Sequence, residues 1–506
     1  MAHWSAEFER FLGRCEVREQ LVDQRQVPPH RVFSIDNDIG RKVDFKRLAI
    51  HHLVLPPHCR TSFPHGESLE EEFVFVLAGN PHLWINGYLC RLDEGHAVGF
   101  PSGTGIAHTF INHSAINVQL LVVGEKTKKD NKCVYPVNPE IKAGCQFWWE
   151  DAPVHPLGPH PGVPGPHSPQ DQVVSVPGCV THCPSQPRGS TFHYPGDSET
   201  FGDGFRISDK VGLNALGIWY QRLAPGKRSA FPHAHSHEEE FVYALKGRPT
   251  IWMDGFAKDL DAGAFAAFPP NTGINHVVIN NTDEEVIYIC VGEAQDFPDE
   301  KLTYPLNKLR QAECLRKGWY WVDAPQRILG AASAIPSAGF LDHLEFEICD
   351  QSSAADVFDV YQKAQRYFQR VDNCTPSIEM ALKAIADGPA ERSEKYFKEF
   401  LLIKHNGRSV GCLDLHANHP NEGSCYLGLL LLSDDISGRG MGRRCYELAQ
   451  DYIKRALGCK KILLGVSESN DVAGFWQRMG LSRNGKSYTR AGEFNTTTIC
   501  EYQKEI

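Results

Sequence analysis

The sequence predicts a multidomain fold in which two all-β jelly-roll barrels are followed by one α/β domain. Two observations favour it: a long segment recurs at an offset of about 168 residues, and the pattern changes near residue 335 from short strands to alternating helices and strands. The 506 residues agree with this count, because a typical domain has about 150 residues. The predicted boundaries are 1–153 for an N-terminal segment with the first barrel, 154–190 for a linker, 191–335 for the second barrel and 340–506 for the α/β domain.

The repeat runs without a gap from Val43/Val211 to Glu125/Glu293. Its clearest match is Phe63-Pro64-His65 with Phe231-Pro232-His233. Within each copy, β-branched and aromatic runs alternate with Gly, Pro and Asn-Gly turns about every ten residues, which is typical of antiparallel strands in a closed barrel or jelly roll. The linker is so rich in Pro, Gly and His that we expect neither helix nor strand ladder within it.

The third domain is predicted from its own periodicities. Ala354 to Val371 and Met441 to Leu457 have the spacing of amphipathic helices. Tyr396 to Ile403, Tyr426 to Leu432 and Lys461 to Val466 are apolar runs of strand length. Helices and strands in alternation predict the α/β class.

Composition and charge exclude several classes of function. The chain has 52 basic and 62 acidic residues, a net charge of −10, which argues against binding to nucleic acids or to an anionic membrane surface. No apolar run is long enough to cross a bilayer, and the N-terminus lacks the layout of a signal peptide. The 16 cysteines are scattered singly, as reduced thiols usually are. We therefore expect a cytoplasmic protein that acts on a small molecule.

The second copy carries a set of metal-ligand side chains. His233 and His235 are two residues apart and face the same side of a strand, Glu240 follows, and His276 comes from a later strand. Three imidazoles and one carboxylate suit a divalent transition metal that keeps open positions. These residues resemble the two motifs of the cupin superfamily, and the resemblance covers both copies, as in a bicupin. It implies a metal at these four residues, without distinguishing Fe, Mn, Ni or Zn.

The first copy is an altered version of this set. His65, Glu72 and His108 hold the equivalent positions, but Glu67 replaces the second histidine. Two imidazoles and two carboxylates are able to hold iron or manganese, and a lost site or one that binds a cationic group is equally compatible. One complete set beside an edited one predicts that the chemistry lies in the second copy.

A glycine-rich turn in the third domain predicts a phosphate site. Ser433 to Arg444 follows an apolar strand and opens a helix, where backbone N–H groups and the helix dipole favour a phosphate. Together with Asn470 to Leu481, this segment resembles the GNAT family of acetyl-CoA-dependent N-acetyltransferases, over about residues 340–506. The resemblance implies that acetyl-CoA is held by Leu430, Leu432, Gly438, Arg439, Gly440, Met441, Gly442, Arg443 and Asn470.

Two positions depart from the family pattern. Ser437 stands where the pyrophosphate loop usually begins with Gln or Arg, and Trp476 stands where a tyrosine often protonates the departing thiolate. Indole is a donor only at nitrogen and a very poor acid. Glu422 and Asp414 are candidates for the group that deprotonates the amine, as is ordered water.

The leading hypothesis is an N-acetyltransferase that acts on a small amine-bearing metabolite and is fused to a metal-binding bicupin that processes or binds the same metabolite. One alternative is a cupin-centred metalloenzyme, of isomerase or dioxygenase type, with a CoA-binding tail. A second alternative is a non-catalytic ligand sensor. Cupins often pair, which makes a homodimer one option, although a bicupin can bury the same surface within one chain.

Overall fold

The computed structural model describes residues 6–15, 34–165, 177–293, 299–329, 342–389, 394–436, 440–491 and 496–506. The chain divides into two compact units. The β unit comprises Met1–Thr191, Phe201–Thr303 and Trp319–Pro336. The α/β unit comprises Phe192–Thr200, Tyr304–Gly318 and Ser337–Ile506, so it includes two short segments that precede the third domain in sequence.

The β unit contains twenty-two described strands, three short α-helices and two 3-10 helices, Pro139–Gly144 and Cys183–Ser185. Its strands are β1 (Leu12–Arg14), β2 (Ile35–Asp38), β3 (Leu48–Leu55), β4 (Gly66–Glu67), β5 (Glu72–Ala78), β6 (His82–Ile85), β7 (Tyr88–Arg91), β8 (His96–Phe100), β9 (His108–Ile111), β10 (Val118–Glu125), β11 (Cys133–Val134), β12 (Val180–His182), β13 (Asp203–Arg206), β14 (Leu216–Leu223), β15 (Ala234–His235), β16 (Glu240–Lys246), β17 (Thr250–Met253), β18 (Phe256–Asp259), β19 (Ala264–Phe268), β20 (His276–Ile279), β21 (Val286–Glu293) and β22 (Leu302–Thr303). Its helices are α1 (Ala6–Glu9), α2 (Ile39–Lys42) and α3 (Ile207–Val211).

Each copy of the repeat is a sandwich of two main antiparallel sheets, with an additional two-stranded sheet, β11-β4 in the first copy and β15-β22 in the second. The first has a six-stranded sheet in the order β12-β8-β5-β10-β3-β2 and a three-stranded sheet β7-β6-β9. The second has β1-β19-β16-β21-β14-β13 and β18-β17-β20. The jelly-roll prediction is confirmed, but the expectation of a closed barrel is wrong for the described residues, because the two sheets of each copy face each other without joining into one continuous ladder.

The two copies exchange an edge strand. Leu12–Arg14 of β1 pairs with β19 of the second copy, and Val180–His182 of β12 pairs with β8 of the first. These two strands stand at equivalent positions of the repeat, so the exchange is reciprocal. The strand β12 lies inside the predicted linker, so the expectation that this segment holds no ladder is wrong. Hydrogen bonding to β8 of the first copy holds this segment as a strand, although its own composition does not favour one.

Two buried glutamates also join the copies. Glu71 accepts hydrogen bonds from the backbone N–H groups of Asn214, Ala215 and Leu216, at 2.8 to 3.1 Å. Its repeat equivalent, Glu239, accepts from the N–H groups of residues 46–48 in the first copy. Side chains from both copies form one hydrophobic cluster between the large sheets, for example Phe75 and Phe241.

The α/β unit is a seven-stranded sheet covered by helices on both faces. The strands are β23 (Leu344–Ile348), β24 (Phe397–His405), β25 (Arg408–Ala417), β26 (Ser424–Leu432), β27 (Lys461–Ser467), β28 (Ser482–Ala491) and β29 (Thr496–Glu505). The helices are α4 (Lys308–Arg316), α5 (Ala354–Lys363), α6 (Gln365–Tyr367), α7 (Ile378–Ala386), α8 (Met441–Arg455) and α9 (Ala473–Arg478). The sheet order is β23-β24-β25-β26-β27-β29-β28, and β26 with β27 is its parallel pair.

The predicted elements of this unit are observed, with one change. The single helix expected over 354–371 is divided at Ala364 into α5, α6 and a π-helical turn, Phe368–Asp372. Helix α8 packs on one face of the sheet through residues such as Tyr446, Ala449 and Ile453, whose spacing places them on one side of the helix.

No described helix has the length and apolar composition needed to cross a membrane.

Candidate functional site

The four predicted metal ligands of the second copy lie together. His233 directly precedes β15, His235 is on that strand, and Glu240 and His276 begin β16 and β20. One ligand atom from each lies within 4.8 Å of all the others. The backbones of His233 and His276 are hydrogen-bonded to each other, at 3.3 and 2.9 Å, which places the two imidazoles side by side.

The surroundings of this group orient it for a metal. Nδ1 of His233 lies 2.8 Å from the carbonyl of Phe231, and Nδ1 of His276 lies 3.2 Å from that of Ile274. Such bonds set the tautomer that presents Nε2 to an ion. Nε2 of His276 is 3.0 Å from Oε2 of Glu240. A mixed set of imidazoles and one carboxylate, held this way, fits a first-row divalent metal.

Burial and neighbouring charges shift the pKa values of three members of the group in different directions. Burial alone would raise the pKa of Glu240, but the neighbouring imidazoles hold it well below its usual range. Burial lowers the pKa of His233 to about 3, so this ring is neutral. Burial also opposes the charged form of His235, but Glu238 and Glu300 raise its pKa to about 9. Their carboxylates lie 3.2 and 3.3 Å from its Nδ1.

The first copy brings together three of its four predicted ligands. Ligand atoms of His65, Glu72 and His108 lie within 4.8 Å of one another. Glu67 is not part of that group, and its Oε1 instead accepts a hydrogen bond from Cys133 Sγ at 3.8 Å. Burial, with the charge of Glu72, raises the pKa of Glu67 to about 8. Among the described residues, Nε2 of His108 is buried without a hydrogen-bond partner, and it lies 3.6 Å from Oε1 of Glu72, an arrangement that a metal would complete.

In the α/β unit, a cavity of about 430 Å³ opens where β26 and β27 diverge. The two strands pair from Ser424/Lys461 to Leu427/Leu464, and the second half of each lines the cavity. Four of the predicted CoA-binding residues line it, namely Leu430, Leu432, Gly442 and Asn470.

The other predicted CoA residues lie elsewhere. Gly440 is the N-cap of α8 and has a left-handed backbone, with φ of 78°. Met441 is buried in the core beneath the sheet, and Arg443 is exposed on the first turn of α8. Gly438 and Arg439, with Ser437, lie outside the described residues.

Three arginines that the sequence analysis did not single out also line this cavity: Arg366, Arg370 and Arg490. They stand far from the glycine-rich turn in sequence, so no local motif marks them. Trp476 is 8% exposed and packs edge-on against Tyr446 and Phe475. The need to fill this aromatic cluster explains why a large apolar side chain stands at this position.

A second cavity of about 910 Å³ lies beside the first, and Arg490 lines both. Asp414 and His416 line the second cavity, whereas Gly428 lines the first. At Gly428 the pairing of β25 with β26 skips one residue, which makes a β-bulge. A Cβ atom on Gly428 would lie 3.0 Å from both Asp414 Oδ2 and His416 Nε2, so these two polar atoms converge on the bulge between the cavities.

The two candidates for a base have different surroundings. Asp414 Oδ2 lies 3.3 Å from His416 Nε2, and Nδ1 of the same imidazole lies 3.0 Å from the hydroxyl of Tyr396. Glu422 is 65% exposed, pairs with Lys395 at 2.5 Å and lines neither cavity. His416 is not among the residues predicted from the sequence, although its spacing of two from Asp414 on a strand is a signal that could have identified it.

Comparison with protein-family models finds the same organisation. The cupin domain model matches residues 51–124 and 219–292. The acetyltransferase (GNAT) family model matches residues 358–481. Each match contains candidate residues described above.

Among solved structures, the similar ones include oxalate decarboxylases. The Bacillus subtilis enzyme at pH 4.6 has 16% identity and a TM-score of 0.36, with 56% of this chain and 77% of that chain covered. The Lactobacillus farciminis enzyme in its formate complex has 17% identity and a TM-score of 0.35, with coverage of 55% and 84%.

A search of curated proteins finds no match. For each part of the chain, the matched family agrees with the observed fold. The two cupin matches fall on two-sheet domains, and the GNAT match falls on the α/β domain. The chain therefore contains two domains that match the cupin family, in the tandem order of a bicupin, and a C-terminal domain that matches the GNAT acetyltransferase family.

Proposed function

We propose that the α/β domain is an acetyl-CoA-dependent N-acetyltransferase whose acceptor is a small amine-bearing metabolite. The observation that carries this proposal is the meeting of two cavities at Gly428, with Asp414 and His416 converging on the same point. A transferase of this kind needs a donor site and an acceptor site that share one wall, with a proton acceptor where they meet.

The first cavity suits the donor. Acetyl-CoA would supply an activated acetyl group there. The half of β26 beyond Leu427 is not paired with β27, so its backbone on that side is free to hydrogen-bond the amides of an extended arm. Arg366 and Arg370 add positive charge suited to phosphates.

The second cavity suits the amine. An ammonium must lose a proton before its nitrogen attacks a carbonyl, and Asp414 with His416 stands where that nitrogen would lie. Tyr396 and Asp414 hold the imidazole from its two nitrogens, which orients the ring. Tyr426 and Tyr488, whose hydroxyls lie 3.1 Å apart, provide an aromatic wall for the rest of the molecule. We assign Asp414 and His416 as the pair that accepts the proton.

The four-residue group of the second cupin domain supports a second candidate, a metal-centred activity in the bicupin on the same metabolite. His233, His235, Glu240 and His276 would hold the ion, which would act as a Lewis acid. This candidate and the acetyltransferase are compatible, and fusion in one chain would couple them.

Donor binding is tested first by calorimetry with acetyl-CoA. Gly442 lines the cavity, and a Cβ there would meet Phe475 at 3.5 Å, which is ordinary contact. Gly442→Ala should therefore bind like the wild type, whereas Gly442→Glu places a carboxylate beside the phosphates and should weaken binding at least tenfold. Failure of the wild type to bind acetyl-CoA would remove the proposal and leave the metal-centred candidate.

Turnover is then tested by following thiol release with a panel of small primary amines. His416→Gln and Asp414→Asn should each lower kcat by about 10²-fold or more, the usual effect of losing a proton acceptor. Acetyl-CoA affinity should remain unchanged in both. Glu422→Gln is the matched control and should have wild-type turnover; a loss there equal to that in Asp414→Asn would contradict the assignment.

A further inference from the structure

The α/β unit contains a third group of metal-ligand side chains, apart from those of the two cupin domains. Ligand atoms of Asp197, Glu199 and His343 lie within 4.8 Å of one another. One ion could bind all three after a small adjustment, because oxygen and nitrogen ligands lie about 2.0–2.2 Å from zinc and two of them on opposite sides are therefore about 4.4 Å apart. None of the three residues lines either cavity of this unit, so the proposed transferase site does not use them.

The backbone places these side chains on one side of a short ladder. Two hydrogen bonds of 2.8 Å join residues 196–198 to the edge strand β23. Asp197 stands opposite Glu345 in this antiparallel pairing. In the same register Glu199 stands opposite His343, and residues two apart on a strand face the same side. Three carboxylates and one imidazole therefore converge from two adjacent segments of chain.

The segment 192–200, which supplies two of the carboxylates, is fixed by packing. Gly196 has a left-handed backbone, with φ of 80°. A Cβ atom there would lie 2.7, 3.0 and 3.2 Å from side-chain atoms of Leu309, Tyr452 and Phe346. Only glycine permits so close an approach of the backbone to these side chains. The carboxylates are thus presented from a backbone of defined position, as a metal site requires.

The group is desolvated and already in close contact. Asp197 and Glu199 are 4% and 1% exposed, and the side chain of His343 is 15% exposed. Nε2 of His343 lies 2.6 Å from Oδ1 of Asp197, and the same oxygen accepts from the backbone N–H of Glu199 at 2.7 Å. Buried charges in proteins are paired or coordinate metals. Two carboxylates with one imidazole suit a divalent first-row ion such as Zn²⁺, whose charge the two carboxylates would balance.

We infer that Asp197, Glu199 and His343 form a zinc site that fastens the segment 192–200 to β23. Glu345 or water would complete the coordination. The segment precedes the second cupin domain in the chain and β23 follows it, so the ion would close a long loop, where a metal clip restricts the unfolded chain most. This inference goes beyond the proposed acetyltransferase activity and does not depend on it.

Zinc content is measured first, on the full-length protein stripped with a chelator and then dialysed against buffered Zn²⁺. Asp197→Asn and His343→Gln should each hold about one zinc ion fewer per chain than the wild type, because each removes one of three protein ligands. Asp197→Asn keeps an oxygen that accepts from the N–H of Glu199, so this variant should fold. His405→Gln is the matched control and should keep the wild-type zinc content, because His405 also contacts an aspartate, Asp342, at 2.8 Å, but the side chain of that aspartate is 62% exposed.

Hydrogen exchange then locates the ion. The amides of Ser198 and Phe346 form the two hydrogen bonds between the segment and β23. Zinc should slow the exchange of both amides at least tenfold in the wild type, because opening this ladder would require release of the ion. Mg²⁺ should have no such effect, because it prefers oxygen ligands and retains its water. Asp197→Asn should lose the effect of zinc, whereas His276→Ala, which removes a ligand of the second cupin domain, should retain it.

The inference is overturned if Asp197→Asn and His343→Gln hold as much zinc as the wild type, or if zinc leaves the exchange of both amides unchanged. It is also overturned if the slowing is lost in His276→Ala and kept in Asp197→Asn, since the ion responsible would then be the one in the second cupin domain.

Discussion

At the scale of single residues, three consecutive glutamates in each cupin domain have three different roles. Glu72 belongs to the metal group, Glu71 binds backbone N–H groups of the other copy, and Glu70 accepts from the backbone N–H of Lys128. In the second domain the same order holds, with Glu239 between the copies and Glu240 in the metal group. Successive residues at a strand end point to different sides, which separates identical side chains.

The buried Glu239 should therefore contribute strongly to stability. Replacing it with Ala leaves three backbone N–H groups without this acceptor; the bond from Leu48 is buried and the other two are partly buried, and a buried orphan donor costs about 1–3 kcal/mol. We expect Glu239→Ala to lower the free energy of unfolding of the β unit by about 3–5 kcal/mol. Urea unfolding followed by fluorescence measures it. The exposed Glu94→Gln should change stability by less than about 0.5 kcal/mol, and equal effects in the two variants would contradict the role.

His235 should make metal uptake proton-linked. Its pKa of about 9 means that the ring is protonated at pH 7.5 without a metal, and a ligand imidazole must be neutral. Metal binding at pH 7.5 should release about one proton from this residue, and the release should decline as the pH rises through 9. Calorimetry in buffers of different ionisation enthalpy measures the release. His235→Gln should lose this component, and a wild type with no pH-dependent release would contradict the assignment.

At the scale of elements, the bulge in β26 shapes the candidate site of the α/β unit. It interrupts the ladder at Gly428, next to the point where β26 leaves β27. The interruption re-aims the neighbouring side chains of β25, so that Asp414 and His416 reach the junction of two cavities. Glycine leaves this point open, because a Cβ atom there would crowd Asp414 Oδ2 and His416 Nε2.

Gly428→Ala should separate binding from chemistry. Its Cβ would lie 3.0 Å from Asp414 Oδ2 and His416 Nε2, which forces these atoms from their positions. We expect kcat to fall at least tenfold with the amine that the wild type acetylates, while calorimetric affinity for acetyl-CoA changes less than threefold. Gly442→Ala adds the same methyl group at a position that has room for it, so this variant should retain both the turnover and the affinity for acetyl-CoA. Full activity in Gly428→Ala would contradict the assigned meeting point.

At the scale of the whole molecule, the chain passes between the two units more than once, so each unit is built from segments that are separate in sequence. The α/β unit includes residues 192–200 and 304–318, which the sequence analysis placed in the second barrel domain. Within this unit, Arg316 on α4 binds Glu399, and Glu399 also accepts from the hydroxyl of Tyr452 at 2.5 Å. Glu399 is 5% exposed, so it depends on these two partners.

Removing Arg316 should therefore destabilise the α/β unit. Breaking a buried ion pair from one side costs about 3–5 kcal/mol, because the remaining charge is uncompensated. We expect a loss of this size in Arg316→Ala, measured by chemical unfolding of the full chain. Arg408→Ala is the control, since Arg408 is 71% exposed and its pair with Asp435 spans 3.8 Å. A fragment of residues 340–506, which lacks Arg316, should be less stable than one of residues 304–506, and equal stability would contradict this account.

Much of this arrangement could be predicted from the sequence because it depends on local spacing. The candidate ligand residues at His233 and His235 and the alternating pattern of the third domain are visible within short windows, and the repeat is visible when the sequence is compared with itself at an offset of about 168 residues. Asp414 was a candidate from its residue type, whereas His416 and the three arginines that line the first cavity of the α/β unit were missed. These side chains converge from segments far apart in the chain, and no window contains them together.

The sequence by itself determined the families, the duplication and the chemical types at the candidate metal positions, since these follow from residue identity, self-similarity and short-range periodicity. Only the tertiary structure decided the exchange of β1 and β12, the separation of Glu67 from its group, and the meeting of Asp197 and Glu199 with His343. Each of these depends on which strands pair and which side chains share a buried volume. Strand pairing between distant segments is set by the packing of the whole sheet, which local sequence does not specify.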